Sequence, residues 1–335
     1  MSWLKRLPLV LLVVCGLTAA VPDKSTTIFV IGDSTAANKD ISDGKQERGW
    51  AMALQCYFDD HIVVDNHAVN GRSSKSFIDE GRWDKVLSLI KPGDYVIIQF
   101  GHNDEKSQPN RHTDPGSTFD YNLARFVRET REHGGIPVLM NSVVRRNFLV
   151  KAPLIADDEQ LRNTTFSDGA KTVEGDTLID THGLYRIAPR DVAQRMNCHF
   201  IDANRITHDL EQSLGTEGSK ALHMWFLPGT EPSEPKGKQD NTHYNVYGAH
   251  VVARLLSDAL CDEIPLLRAC RTNADFTVDR HGRGQYLSLT DAVAAAQASS
   301  KAETTIQILG GEWERPRLPK KSHISFILRQ GATWK

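Results

Sequence analysis

Five short runs of apolar or β-branched residues constrain the fold of this chain more than any other feature. They are Thr27–Ile31 (TIFVI), Ile62–Asp65 (IVVD), Tyr95–Phe100 (YVIIQF), Ile136–Met140 (IPVLM) and His199–Asp202 (HFID). Continuous runs of this kind suit strands covered on both faces, as in a parallel sheet. Amphipathic segments lie between them at Trp83–Ile90, Phe119–His133 and Thr177–Met196. A last helix is predicted over Tyr244–Cys261, where Val246, Val251, Val252, Leu255, Leu256 and Ala259 form an apolar stripe. Gly134-Gly135 ends one helix, and Pro137 sits at the start of the following strand, where a missing donor is tolerated. Repeated β–α units require right-handed crossovers, which predicts a three-layer α/β/α sandwich with a central parallel, flavodoxin-like sheet. Ligands of such a fold sit beyond the carboxyl ends of its strands.

Charge and length narrow the function. The chain has 335 residues with 40 Lys+Arg against 42 Asp+Glu, a balance that argues against a nucleic-acid partner. No apolar run reaches the roughly 18 residues of a membrane span. Residues 1–20 have the layout of a secretory signal peptide: Lys5 and Arg6, the apolar stretch Leu7–Leu17, then Thr18-Ala19-Ala20. The expectation is a secreted or periplasmic protein with no membrane attachment once the signal is cleaved. Residues 21–263 are expected to form the main domain, 264–275 a linker and 276–335 a short β-rich fragment. That fragment carries 9 basic and 5 acidic residues, which leaves residues 21–275 at −8. Export puts Cys56, Cys198, Cys261 and Cys270 in an oxidising compartment. A Cys261–Cys270 bridge and buried free thiols are both open readings, and no spacing points to zinc, another metal or a cofactor.

The strand ends carry the chemistry. The first run leads into Gly32-Asp33-Ser34-Thr35, the second into Asn66–Arg72, and the third into Gly101-His102-Asn103-Asp104. Asp240-Asn241-Thr242-His243 stands before the last helix. A serine hydroxyl is inert until a base takes its proton, and His243 can be that base. Asp240, three residues earlier in an expected turn, can hold Nδ1–H of His243 and leave Nε2 facing Ser34. An ester carbonyl under attack becomes an oxyanion that needs fixed donors. The backbone N–H groups of Ser34 and Gly71 and the side-chain amide of Asn103 are candidates. Gly71, with no Cβ, lets the backbone come close to a ligand. Each motif alone is also a common turn or helix start; their joint order is what makes coincidence improbable.

This set of four blocks resembles the SGNH (GDSL-type) hydrolases. Within that group, Asn70-Gly71-Arg72-Ser73-Ser74 with Ser76-Phe77, Glu80-Gly81-Arg82-Trp83, Pro137-Val138-Leu139, and Val143 with Arg145-Arg146 and Phe148 are similar to the rhamnogalacturonan acetylesterases. The resemblance, over about residues 27–262, implies Ser34, Asp240 and His243 as a catalytic triad, with Ser34, Gly71 and Asn103 as the oxyanion hole. It implies an acetylated pectic polysaccharide as substrate. Other activities of the same group (acetylxylan esterase, lipase-like esterase, thioesterase) and a catalytically dead polysaccharide-binding protein are the competing readings. The nucleophile elbow G-x-S-x-G of another esterase fold is absent.

A pectic substrate carries carboxylates, which a domain at −8 repels at long range. Recognition must then be local, and Arg72 and Arg145 are the candidate substrate-binding cations, since a planar guanidinium binds carboxylates bidentately. The alternative is that such arginines pair internally with nearby carboxylates. Residues 276–335 resemble the opening of a pectin methylesterase β-helix without the coils that carry its catalytic aspartates. A single coil cannot bury a continuous core, so this segment is expected to be loosely attached and to show no methylesterase activity.

Overall fold

The computed structural model describes residues 25–149, 174–319 and 323–335. The signal-peptide expectation for residues 1–20 lies outside the described residues. Five strands, β1 (Thr26–Gly32), β3 (Ile62–Asn66), β4 (Tyr95–Gln99), β5 (Ile136–Met140) and β8 (His199–Ile201), form one parallel sheet in the order β3-β1-β4-β5-β8. These are the five apolar runs, with no end moved by more than one residue.

Alternation along β1 shows why the runs had to be continuous. Ile28 and Val30 point into a core with Trp50, Leu222, Val252 and Leu256. Phe29 and Ile31 point into a second core with Trp83, Phe126, Val127 and Val192. Helices cover both faces: Val246–Glu263 and Ala203–Gly218 on one, and Arg82–Leu87, Thr118–Glu132 and Leu184–Met196 on the other. The result is the expected α/β/α sandwich.

Two predicted helices differ from the structure at their starts. The segment expected to be helical from Thr177 begins as the end of β7 (Glu174–Leu178), which pairs with β6 (Phe148–Leu149), and its helix starts only at Leu184. The last helix starts at Val246 because Tyr244 and Asn245 end β10 (Lys238–Asn245), the middle strand of a small antiparallel sheet with β2 (Glu47–Arg48) and β9 (His223–Phe226). Asn245 then caps the helix, its side chain accepting from Gly248 N.

The carboxy-terminal segment departs from expectation more sharply. Its strands β11 (Phe276–Val278), β12 (Thr304–Ile308) and β14 (Ile324–Leu328) form one parallel sheet, and β13 (Gly311–Trp313) pairs with β15 (Ala332–Trp334). They close over a core of their own with the helix Leu289–Ala298. The segment is also docked on the main domain. Arg48 Nε donates to Gly282 O at 3.2 Å, Gln307 Nε2 to Cys56 O at 3.1 Å, and Arg329 Nε to Asp60 Oδ1 at 3.0 Å. Leu309 packs with Ala53, Cys56, Tyr57 and Ala253 of the main domain. Residues 264–275, expected as a linker, include the short helix Pro265–Arg268, with Ile264, Leu267 and Cys270 buried in the main core. Cys56, Cys198, Cys261 and Cys270 are all free thiols; burial pushes Cys56 up to about 12 and Cys261 up to about 11.

Docking of this kind has a measurable consequence. Arg329 is buried and also donates to Gln307 Oε1 at 3.1 Å, so Arg329→Ala removes charge-assisted hydrogen bonds and is expected to cost about 1.5–3 kcal/mol in urea unfolding. In limited proteolysis the segment from Phe276 onward should be cut no faster than the main domain. Rapid loss of that segment from an otherwise intact protein would contradict the docking.

Candidate active site

The carboxyl ends of β1, β3 and β4 lie side by side, and the chain uses backbone pairing to keep them so after the strands end. His67 N donates to Val30 O at 2.8 Å and Val69 N to Gly32 O at 3.0 Å. Beyond β1 the chain turns at Asp33, whose buried carboxylate accepts from Thr35 N at 2.9 Å and Thr35 Oγ1 at 2.8 Å. Burial raises the Asp33 pKa, and those donors oppose the rise. The turn is braced from outside by Gly49-Trp50. A Cβ on Gly49 would lie 2.3 Å from Ala37 O, so only glycine allows the approach by which Trp50 N reaches Thr35 O at 2.9 Å.

Ser34 projects from this braced turn. Its Oγ lies 2.8 Å from His243 Nε2, and His243 Nδ1 lies 2.9 Å from Asp240 Oδ2. Asp240 and His243 do not sit in a turn, as expected, but on β10. In a regular strand, residues three apart face opposite sides. The pairing of β10 with β9 shifts register between Gln239 and Tyr244, and this irregularity turns both side chains the same way. Asp240 Oδ1 meanwhile accepts from Thr242 N and His243 N at 2.8 and 3.0 Å. Burial alone would raise the Asp240 carboxyl, but the His243 charge and these hydrogen bonds hold it well below the usual carboxylate range. An ionised Asp240 fixes the proton on Nδ1 and leaves Nε2 as the acceptor for Ser34 Oγ–H.

Gly71 and Asn103 reach the same place. Gly71 has φ +75°, and a Cβ there would meet no atom within 4 Å. The backbone dihedral, more than crowding, is therefore what calls for glycine. Asn103 is oriented from both ends of its amide: Nδ2 donates to Arg72 O at 3.2 Å, and Oδ1 accepts from Arg111 Nη1 at 3.3 Å. Asp104, next in the chain, accepts from Ser74 N at 3.1 Å and from Thr113 Oγ1 at 2.8 Å, at the start of the helix Ser74–Asp79. Burial pushes its carboxyl up to about 7 in spite of these donors.

Ser34, Gly71, Asn103, Asp240 and His243 line one open cavity of about 420 Å³. Its remaining wall was not legible in the sequence. Lys39, almost fully buried, bonds Asn70 Oδ1 at 2.6 Å and Glu47 Oε1 at 2.7 Å; Lys238 and Arg111 complete the rim. Burial lowers the Lys39 pKa against the pull of Glu47. Glu47, whose burial would raise it, is held low by the charges of His243 and Lys39. With His243 neutral, all the charged groups lining the cavity, Asp240 included, sum to +1 inside a domain at −8.

Arg145 requires a correction. It was expected at the substrate rim, yet its side chain is 1% exposed and ion-paired with the equally buried Glu105; it also donates to Thr181 Oγ1 at 3.2 Å and His102 O at 3.4 Å. Arg146 is buried as well, bonded to Ser219 Oγ and to Asn241 Oδ1, both at 3.0 Å, with its guanidinium over the Trp225 ring. Both arginines act as clamps, one on the loop of Asn103 and the other on the strand of Asp240 and His243. Arg72 stays at the surface, where its Nε meets Glu80 Oε2 at 3.1 Å. Arg82 pairs with the same carboxylate at 2.5 Å.

A hydroxyl, an imidazole and a carboxylate in line, beside a cavity with oriented N–H donors, can carry out acyl transfer through a serine. Residues 30–251 match the GDSL-like lipase/acylhydrolase family, and the chain belongs to that family. It is a carboxylic ester hydrolase. The chain is 35% identical over 237 residues to rhamnogalacturonan acetylesterase RhgT of Bacillus subtilis (strain 168), covering 71% of this chain and 90% of that one. It is 27% identical over 258 residues to a rhamnogalacturonan acetylesterase of Emericella nidulans, covering 75% and 91%. The crystal structure of protein YxiM of Bacillus subtilis superposes with a TM-score of 0.54 at 24% identity, over 71% of this chain and 57% of that one, which shows the shared fold.

The geometry predicts a pH dependence with a definite sign. Asp240, with its lowered pKa, stays ionised on mild acidification, whereas a protonated His243 cannot accept the Ser34 proton. Ester hydrolysis should therefore decline as pH falls, with near-ultraviolet circular dichroism unchanged. A kcat/KM that did not fall on acidification would contradict the arrangement.

Proposed function

We propose that this hydrolase removes acetyl groups from pectic rhamnogalacturonan outside the cell or in the periplasm, by way of an acetyl-serine intermediate. The observation that carries the reading is the Ser34–His243–Asp240 chain opening into a cavity whose wall is locally cationic. Ser34 Oγ attacks the acetyl carbonyl as His243 Nε2 takes its proton. The carbonyl oxygen becomes an oxyanion facing the N–H groups of Ser34 and Gly71 and the amide of Asn103. Collapse breaks the bond to the sugar oxygen, and His243 returns the proton to it. Water, deprotonated by His243, then attacks acetyl-Ser34; the bond from the acetyl carbon to Oγ breaks, acetate leaves, and His243 returns the proton to Oγ. Every step is acid–base chemistry that these side chains supply, so neither metal nor cofactor enters it. The similarity to two rhamnogalacturonan acetylesterases supports the polymer, and the signal-like residues 1–20 support export.

The test is acetate release from acetylated rhamnogalacturonan beside acetylated xylan. Wild type should prefer the former, and Ser34→Ala should lose about 10⁴-fold or more in kcat. Asn103→Ala should lose on the order of 10²–10³ in kcat, as removal of an oxyanion donor does. A preference for xylan, or a rate that rises from acetate to octanoate esters, would replace this reading with another esterase activity. Polysaccharide binding with no turnover would make the protein a lectin-like module.

A further inference from the structure

The loop that carries Asn103 is held by a chain of buried groups that the acyl-transfer steps do not use. Gly101 turns the backbone out of β4 at φ +146°, and a Cβ there would lie 2.4 Å from Ser142 Oγ, so the reversal needs glycine. His102 follows and is buried. Its Nδ1 lies 3.0 Å from Nε2 of the buried His182, whose Nδ1 lies 2.7 Å from Asp180 Oδ1. The two rings meet edge to face, with centroids 4.7 Å apart. Asn204 Nδ2 donates to Asp180 Oδ1 at 3.0 Å and ties the far end of the chain to the helix Ala203–Gly218. The order of carboxylate, imidazole and acceptor repeats that of Asp240, His243 and Ser34, with His102 in the place of the serine.

The proton positions follow from the two ends. Burial would raise the Asp180 carboxyl, but its bonds to His182 and Asn204 hold it well below the usual carboxylate range. Burial, with the Arg145 charge close by, lowers the His102 imidazole well below its ordinary value. With both rings neutral, Asp180 takes the Nδ1 proton of His182, and Nε2 of His182 accepts from His102 Nδ1–H. His102 Nε2 is then a buried acceptor with no hydrogen-bond partner among the described residues. Such an atom costs stability, and two apolar side chains of similar volume would avoid the cost. Stability alone therefore does not account for this pair of rings.

We propose that Asp180 and His182 are positioning residues for ester hydrolysis, aiming the Asn103 amide through His102, a role that rests on the reading of Asn103 as an oxyanion donor. His102 is gripped twice, by His182 at its ring and by Arg145 Nη2 at its carbonyl oxygen, 3.4 Å away. With both ends of the residue held, the backbone entering Asn103 is restrained and its amide stays between Arg72 O and Arg111 Nη1. A hydrogen bond between rings sets a direction as well as a distance, which apolar contact does not. Burial keeps water from competing for it. An oxyanion donor contributes when it is aimed before the charge develops, so a small swing of the amide costs rate without changing the fold.

The experiment is a double-mutant cycle on 4-nitrophenyl acetate, a substrate that needs no polysaccharide recognition. His102→Leu and His182→Leu should each lower kcat/KM roughly 10- to 100-fold, with near-ultraviolet circular dichroism unchanged. The same substitutions placed in Asn103→Ala should cost less than about twofold more, because the donor they aim is gone. His102→Asn, which keeps an N–H at the place of Nδ1, should recover most of the rate; a side chain that only filled space would be replaced as well by leucine. Asp180→Asn keeps the volume and removes the charge that orders the His182 proton. It should lose roughly tenfold, again only where Asn103 is present, and it carries the test if a leucine variant does not fold. Equal losses in both backgrounds, wild-type rates for the histidine and aspartate variants, or a His102→Asn no faster than His102→Leu overturns the positioning role while Asn103 keeps its own. A wild-type rate for Asn103→Ala overturns the oxyanion role and the positioning role together.

Discussion

The contact between Ser34 Oγ and His243 Nε2 joins residues 209 positions apart, and most of the architecture can be understood as what holds it. One partner stands at the end of a central parallel strand, where the chain must leave the sheet. The other stands on a strand of a separate antiparallel sheet that overhangs the rim. Neither sheet alone fixes the distance. What fixes it is the bracing of both ends: Trp50 and Thr35 on the serine side, and the Asp240 carboxylate with its backbone donors on the histidine side. A bond of this length depends on both supports, so shifts well outside the cavity are felt as lost alignment.

Buried cations form the second tier of that support. Taking a guanidinium out of water is expensive, and a buried ion pair is weak evidence for stability by itself. Arg145 and Arg146 are nonetheless both buried, adjacent in sequence, and directed to different walls of the site. Through His102 O the first ties down the loop of Asn103; through Asn241 the second ties down the segment between Asp240 and His243. Hydrophobic substitutes could fill the same volume but could not hydrogen-bond two separate segments at once. The cost of burying the charges is offset by geometry more than by net stability, in keeping with their place behind a site where tenths of an ångström matter.

The sheet was legible in the sequence because strands buried on both faces leave an uninterrupted apolar signature, and the rim residues followed because strand ends are where such folds place ligands. What the sequence hid has physical causes. Arg145 reads as a surface cation because charged residues are seldom buried, and its partner Glu105 is forty positions away. Asp240 and His243 read as a turn because a three-residue spacing fits one, whereas an irregular strand produced the same alignment. Lys39, Glu47 and Lys238 belong to no motif, and only the meeting of β2 with β10 brings them together. The carboxy-terminal segment reads as an unsupported coil when considered alone. Its polar side chains Gln307 and Arg329 gain their partners from Cys56 and Asp60, residues of another unit.

Electrostatics bears on how such a site would meet the pectic polymer proposed above. A domain carrying −8 would oppose the approach of an anionic chain out to about the Debye length, roughly 8 Å at physiological salt. At contact, the charged groups lining the active-site cavity sum to +1 and reverse the sign locally. The opposed signs favour a weak, local grip over long-range capture. On that reading, an enzyme working along a chain of many similar sugars is better served by this combination than by a uniformly basic surface, which would hold every acidic segment whether or not it carried an ester.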